Sequence, residues 1–155
     1  MLPSLKSLLN EWQYIRGNTL NFINLLSDDE LDKILPRKQL NTIRLQVEEL
    51  AQIQKNYVYA LATGKIDFSC TPLDDKSKQG LVNAMAIFDI QLENMLCALD
   101  GTEKIDWYGE SKNIHEHIAA LISHEAMHIG QIIAFCYATE ITIPDVIVNA
   151  MVLDG

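Results

Sequence analysis

Residues 113–138 read NIHEHIAALISHEAMHIGQIIAFCYA, and this stretch decides the fold. Its apolar residues recur every three or four positions, which is the spacing of one face of an α-helix. Asn113 is a suitable N-cap, and Glu116 follows three residues later, as in a capping box. The sequence therefore predicts a long helix from Asn113 to about Ala138.

Three further segments have the same helical spacing of apolar residues, and they span residues 4–26, 42–62 and 74–99. Asn41 and Thr42 are both suitable N-caps for the second of them, and Gly64 is a suitable C-terminal stop. Four amphipathic helices joined by modest connections are typical of an antiparallel bundle. We expect an all-α protein whose four long helices form an antiparallel four-helix bundle.

Two short helices are expected beside the four long ones. The run Ser27-Asp28-Asp29-Glu30 is a capping box that opens a helix toward Leu35, where Pro36 stops it. Residues 145–152 follow Pro144 and form a terminal helix. A strand-like pattern at residues 66–68 lies in the loop after the second long helix. No linker divides the chain, so residues 1–155 are predicted to form a single domain.

The composition excludes several classes of partner. Lys plus Arg number 12 against 21 for Asp plus Glu, a net charge of −9. Such a field repels a phosphate backbone and an anionic membrane surface, so we expect neither nucleic acid nor membrane as a partner. Hydrophobic residues make up 48 % and charged residues 21 %, the ordinary balance of a globular domain.

The expected location is the cytoplasm. Polar residues such as Lys6 and Glu11 interrupt the apolar residues near the start, so we expect no signal peptide. We also expect no stretch of about 20 apolar residues that would span a bilayer. The three cysteines (Cys70, Cys97 and Cys136) are odd in number and widely spaced, which suits a reducing compartment.

The inward seam of the last long helix carries more polar residues than a bundle core tolerates. Its seven positions at heptad-like spacing are Ile114, His117, Leu121, His124, His128, Gln131 and Phe135. An unpaired buried polar group costs about 1–3 kcal/mol, so the four polar positions need partners inside the protein. His124 and His128 lie one turn apart and can converge on one metal ion. His117 is about 10 Å further along the helix axis, too far to join them directly.

A third metal ligand is expected from a facing helix, as in bundle metal sites generally. The second long helix offers Glu48 and Glu49. Glu49 lies on one flank of its apolar stripe and Glu48 faces further away, so the pattern favours Glu49. Adjacent helical carboxylates are also common on solvated surfaces. With Glu49, the ligand set of two histidines and one carboxylate suits zinc, iron, nickel or manganese.

The chain resembles the DinB/YfiT-like group of four-helix metalloproteins over most of its length. The run His124-Glu125-Ala126-Met127-His128-Ile129-Gly130-Gln131 is similar to the closing motif of that family, in which two histidines four apart precede Gly-Gln. The start of the second long helix is also similar, since Leu35-Pro36 and a loop precede Thr42-Ile43. Seven residues after Thr42 the family usually has a metal-binding histidine, whereas this chain has Glu49.

The resemblance implies a homodimer and a reaction that uses a low-molecular-weight thiol as cosubstrate. We therefore expect a divalent-metal-dependent enzyme, a thiol S-transferase or a hydrolase, in which a metal-activated water or thiol attacks a small electrophile. His117 and Gln131 are the residues expected to orient the small-molecule substrate. The alternative from a different class is a non-catalytic dimeric binding or stress module whose site is structural or vacant.

A third interpretation comes from His124-Glu125-x-x-His128, which fits the H-E-x-x-H pattern of zinc peptidases. In those enzymes the glutamate acts as general base toward a metal-bound water. The pattern is short, no strand-rich subdomain is predicted to hold a peptide, and Glu125 lies about 100° away from the histidine face. The peptidase is therefore the least favoured of the three hypotheses.

Overall fold

The protein is mainly α-helical. The structure, a computed structural model, describes residues 1–69 and 72–153, so that Cys70 lies outside the described residues. Within those residues the elements in chain order are α1 (Pro3–Leu25), α2 (Asp28–Leu31), α3 (Ile43–Thr63), α4 (Lys78–Ala98), β1 (Lys104–Trp107), β2 (Glu110–Asn113), α5 (Ile114–Thr139) and α6 (Asp145–Met151).

The helix ends expected from the sequence are mostly confirmed. Ser27 opens α2 and Asn113 opens α5, each with a capping box. Thr42 caps α3 through its side chain. Gly64 ends α3 with a φ of +73°, a left-handed conformation that glycine adopts without strain.

Two predicted helices are shorter than expected. α2 ends at Leu31 instead of reaching Leu35. α4 begins at Lys78 instead of residue 74, because the side chain of Ser77 accepts a hydrogen bond from the backbone N–H of Gly80 and so caps the helix there. Local side-chain bonds in this segment compete with helical backbone bonds, which moves the helix start.

The four long helices share one apolar core. α1 and α3 each contact both α4 and α5, while α6 packs on α1. The largest fully buried side chains include Trp12 and Phe22 of α1, Leu50 of α3, Met85 of α4 and Phe135 of α5. All of them belong to one contiguous cluster of buried residues, which holds α3 and α5 against each other.

A small antiparallel hairpin precedes α5, and the sequence analysis did not predict it. β1 pairs with β2, and Tyr108 and Gly109 form the turn with positive φ values of 54° and 94°. A two-residue turn with both φ values positive matches the right-handed twist of a hairpin. The strands have four residues each and little apolar alternation, so periodicity did not reveal them.

The predicted strand-like pattern at residues 66–68 meets this hairpin at one point. Lys65 forms an isolated bridge with Asp106, and the backbone N–H of Ile66 donates to the carbonyl of Asp106. The segment after α3 is thus hydrogen-bonded to β1 but does not form a strand of its own.

Two helices are more apolar than the sequence analysis expected. By length and composition alone, α4 and α5 are both able to cross a membrane. This is weak evidence, because core helices of water-soluble proteins pass the same test. In this structure α5 also buries two histidines and a glutamate: His117, His128 and Glu125.

Candidate metal centre

Glu49 of α3 and the two histidines of α5 form a compact cluster. One ligand atom from each of Glu49, His124 and His128 lies within 4.8 Å of the other two. Nε2 of His128 is 3.6 Å from Oε2 of Glu49, and the two imidazole centroids are 4.6 Å apart. Ligand atoms of a tetrahedral zinc site are about 3.4 Å apart, so small side-chain rotations bring this cluster to metal-binding geometry.

Both histidines are held in the neutral form that a metal requires. Burial, followed by the charges of His124 and Arg37, lowers the pKa of His128 from 6.5 to about 4. Burial also lowers the pKa of His124. At neutral pH each ring therefore carries a free nitrogen lone pair, and no proton must be displaced before a cation binds.

Glu49 carries the strongest local sign of a missing partner. Its side chain is one-third exposed, yet its Oε2 atom is buried and has no hydrogen-bond partner among the described residues. Burial raises the pKa of Glu49, and the charge of Arg37 opposes that rise. A buried carboxylate oxygen without a donor is unfavourable, and a cation placed between it and His128 would satisfy it. The donor set therefore fits a divalent metal ion.

The two adjacent carboxylates, Glu48 and Glu49, differ in their contacts. Glu48 is buried. It accepts a hydrogen bond of 3.0 Å from Gln52 and forms an ion pair of 2.6 Å with Lys76. Glu48 is thus engaged with residues outside the cluster, whereas Glu49 faces the histidines. The sequence pattern had favoured Glu49 for the same geometric reason.

Gln46 fixes the orientation of His128, and the sequence analysis missed it. Gln46 is fully buried on α3, and its Oε1 atom lies 3.4 Å from Nδ1 of His128. Because an amide oxygen only accepts, Nδ1 carries the proton and Nε2 keeps the lone pair that faces Glu49. Such a contact from the second nitrogen is usual for metal-binding histidines. The available signal was the spacing of Gln46 and Glu49, which lie one turn apart on α3.

Gln131 lies beside the cluster and has a partner that the sequence did not suggest. It follows His128 by three residues, so it shares the same face of α5. Its Oε1 atom accepts a hydrogen bond of 3.3 Å from Nη1 of Arg37. Arg37, in the segment between α2 and α3, thereby becomes part of the surroundings of the site.

His117 lies in a different environment from the cluster. It is fully buried, its Nε2 donates to the carbonyl of Tyr57 at 3.0 Å, and its Nδ1 accepts from Nε1 of Trp107 at 3.1 Å. Burial lowers the pKa of His117. The centroid of its ring lies 4.7 Å from the centroid of the Tyr57 ring. Both nitrogens already have partners, so the arrangement gives no support to the predicted substrate contact. His117 instead connects the hairpin to α3 and α5.

Glu125 faces away from the two histidines that flank it in sequence. It is 1 % exposed, its Oε1 accepts from Thr19 at 2.5 Å, and its Oε2 lies 3.3 Å from Arg16. Thr19 and Arg16 belong to α1, whereas Glu49 of the cluster belongs to α3. Glu125 is therefore not placed to act as a general base beside His124 and His128.

Arg16 is the centre of a buried polar network that links the four long helices. It donates to Gln54 of α3 at 3.0 Å, and its guanidinium lies 4.5 Å from the ring centre of Trp12. Asp89 of α4 accepts from both Gln54 and Trp12, at 2.6 and 2.9 Å. With Glu125 on α5, this network fixes the rotation of α5, and hence the direction in which its histidines project.

A cavity of about 600 Å³ opens between α3 and α4, away from the cluster. Its lining includes Tyr59, Phe88 and Met95 but none of the three candidate ligands. This cavity and the candidate ligands thus lie in different parts of the described chain.

Comparison with known proteins adds no identification. The chain matches no protein-family model and is similar to no curated protein. The DinB/YfiT-like resemblance therefore stays a prediction that depends on the sequence motifs.

Proposed function

We propose that this protein is a divalent-metal-dependent enzyme of the DinB/YfiT-like type, a thiol S-transferase or hydrolase that acts on small electrophilic molecules. Glu49, His124 and His128 are the proposed ligands. The observation that carries this proposal is the cluster of two neutral imidazoles and one carboxylate whose buried Oε2 atom has no donor. The ligand atoms of the three residues come from two separate helices. If they lay together by chance, the buried Oε2 atom of Glu49 would stay without a partner, which is unfavourable in free energy.

We further propose that α1, α3, α4 and α5 form an antiparallel four-helix bundle. In support, each of α1 and α3 contacts both α4 and α5, and the buried network around Arg16 includes residues of all four helices. Bundles of this kind place metal ligands on facing helices, which is where Glu49 and the histidines lie.

The residues around the cluster suit a catalytic more than a structural centre. Three protein ligands leave a fourth position of a tetrahedral ion free for water or substrate. A divalent ion bound by these residues would supply Lewis-acid chemistry, lowering the pKa of a water or thiol bound beside it. Gln46 keeps Nε2 of His128 directed at the ion position, and Glu49 supplies the compensating negative charge. Zinc, nickel, iron and manganese all accept this ligand set.

The peptidase hypothesis has less support than the transferase or hydrolase. The H-E-x-x-H mechanism needs the glutamate beside the metal-bound water. Here Glu125 is bound by Thr19 and Arg16 of α1.

The homodimer implied by the resemblance stays a prediction, which sedimentation equilibrium would test.

Metal content tests the proposal first. The protein is purified without a histidine tag, and its metals are measured by elemental mass spectrometry. We expect about one divalent ion per chain, lost in His124→Ala and His128→Ala, because binding is coupled to an intact ligand set. His115→Ala is the matched control, since His115 bonds Ser4 and lies outside the cluster. Metal below about 0.2 per chain, unchanged by these variants, would contradict the proposal.

Activity is tested next with the metal-loaded protein. Consumption of a low-molecular-weight thiol is followed in the presence of small electrophiles, and hydrolysis of the same electrophiles is followed without thiol. We expect turnover that chelation abolishes and added metal restores. A fully loaded protein without any metal-dependent turnover would favour the non-catalytic module instead.

A further inference from the structure

Arg37 is an exposed cation without an ionic partner at the edge of the candidate metal centre. Among the described residues no carboxylate forms an ion pair with it, although the chain has 21 acidic against 12 basic residues. The described polar contact of its side chain is the 3.3 Å hydrogen bond to Gln131. By contrast, Arg44, seven residues later, pairs with both Asp28 and Asp32.

The hydrogen bond places the guanidinium near the metal ligands. Gln131 lies one turn beyond His128 on the same face of α5. The positive charge of Arg37 opposes the rise that burial causes in the pKa of Glu49 and adds to the fall in the pKa of His128, so its field reaches the two sides of the cluster. No other basic residue acts in this way on both Glu49 and His128 within the described chain.

A cation in this position disfavours metal binding, because like charges repel. Among the described residues no ion pair offsets the charge of Arg37. A guanidinium has five N–H donors in a planar fork, and one of them is used by Gln131. The remaining donors match the two oxygens of a carboxylate.

We propose that Arg37, held by Gln131, binds a carboxylate group of the substrate or thiol cosubstrate, so that the site selects small anionic molecules. This inference rests on the proposed function, because the reacting atom of the same molecule is taken to reach the metal. Arg37 is then a specificity-determining residue, and Gln131 is its positioning residue.

The test uses the cobalt-loaded protein and two thiols as probes. 3-Mercaptopropionate carries a carboxylate and 2-mercaptoethanol does not, while both bind cobalt through sulfur. Their affinities are measured from the thiolate-to-cobalt absorption band. Because the two thiols differ in basicity, the quantity compared is the ratio of their affinities in each variant. We expect Arg37→Gln to lower the preference for 3-mercaptopropionate about tenfold, as for loss of one charge-assisted hydrogen bond.

Lys38→Gln is the matched control, since it removes the same charge from the neighbouring exposed residue. We expect it to leave the ratio close to that of the parent. An equal ratio in the parent, Arg37→Gln and Lys38→Gln would overturn the inference while leaving the metal centre intact. Failure of the protein to bind cobalt would overturn the proposed function, and this inference with it.

Discussion

Acidification should destabilise the metal-free protein through His128. Burial lowers the pKa of this residue from 6.5 to about 4, with further contributions from the charges of His124 and Arg37. Because the folded-state pKa lies below the unfolded value, the stability it contributes is present above pH 6.5. That contribution is lost as the pH falls through about 4.

The magnitude follows from the difference between the two pKa values. A fall from 6.5 to about 4 corresponds to about 3 kcal/mol in the acid limit. Most of this free energy is lost between pH 7 and pH 4, and a little under half of that loss occurs by about pH 5.5. The side chain of His128 is 2 % exposed, so solvent screening reduces this figure little.

The assay is urea unfolding followed by far-UV circular dichroism near pH 7, 5.5 and 4, with a chelator present. His128→Gln lacks the titrating group and serves as the reference. Carboxylates such as Asp28 and Glu30, whose pKa values are lowered by Arg44 and Ser27 respectively, lose stability in acid in both proteins. The difference between parent and variant therefore reports His128 together with its coupling to His124. If both proteins lose the same free energy between pH 7 and pH 4, the reasoning about its buried, neutral state is wrong.

Three further predictions concern the site and its support. Gln46→Leu should weaken metal affinity by about 10–100-fold, because His128 loses the acceptor that fixes the proton on its Nδ1. Competition with a chelator measures this affinity. An unchanged affinity would show that Gln46 only fills space in the core. Arg16→Met should lower the free energy of unfolding at pH 7 by about 3–5 kcal/mol, since Glu125 loses its buried cation. Adding Glu125→Gln should recover part of this loss, and a double variant no more stable than Arg16→Met would count against the ion pair. Divalent metal at 100 times its Kd should stabilise the parent by about 2.7 kcal/mol in thermal unfolding, and an equal gain in His124→Ala would exclude this site.

The sequence by itself determined the helical elements and part of the site. Side-chain caps act locally, so Ser27, Thr42 and Asn113 marked helix starts that the structure confirms. The four-residue spacing of His124 and His128 placed both rings on one face of α5, because helix geometry alone requires it. The weak choice of Glu49 also followed from its angle on α3.

The tertiary structure decided what surrounds that face. Arg37 and Arg16 carry no local signal, and the spacing of Gln46 from Glu49 does not reveal its partner, because these partners lie on other elements and come close only when the helices pack. The same packing turned His117 toward Tyr57 and Trp107, and Glu125 toward α1. The helical spacing of apolar residues indicates which side of a helix is buried, but not which element packs against that side. Long-range packing therefore set the protonation, the partners and the orientation of the residues that the sequence had marked.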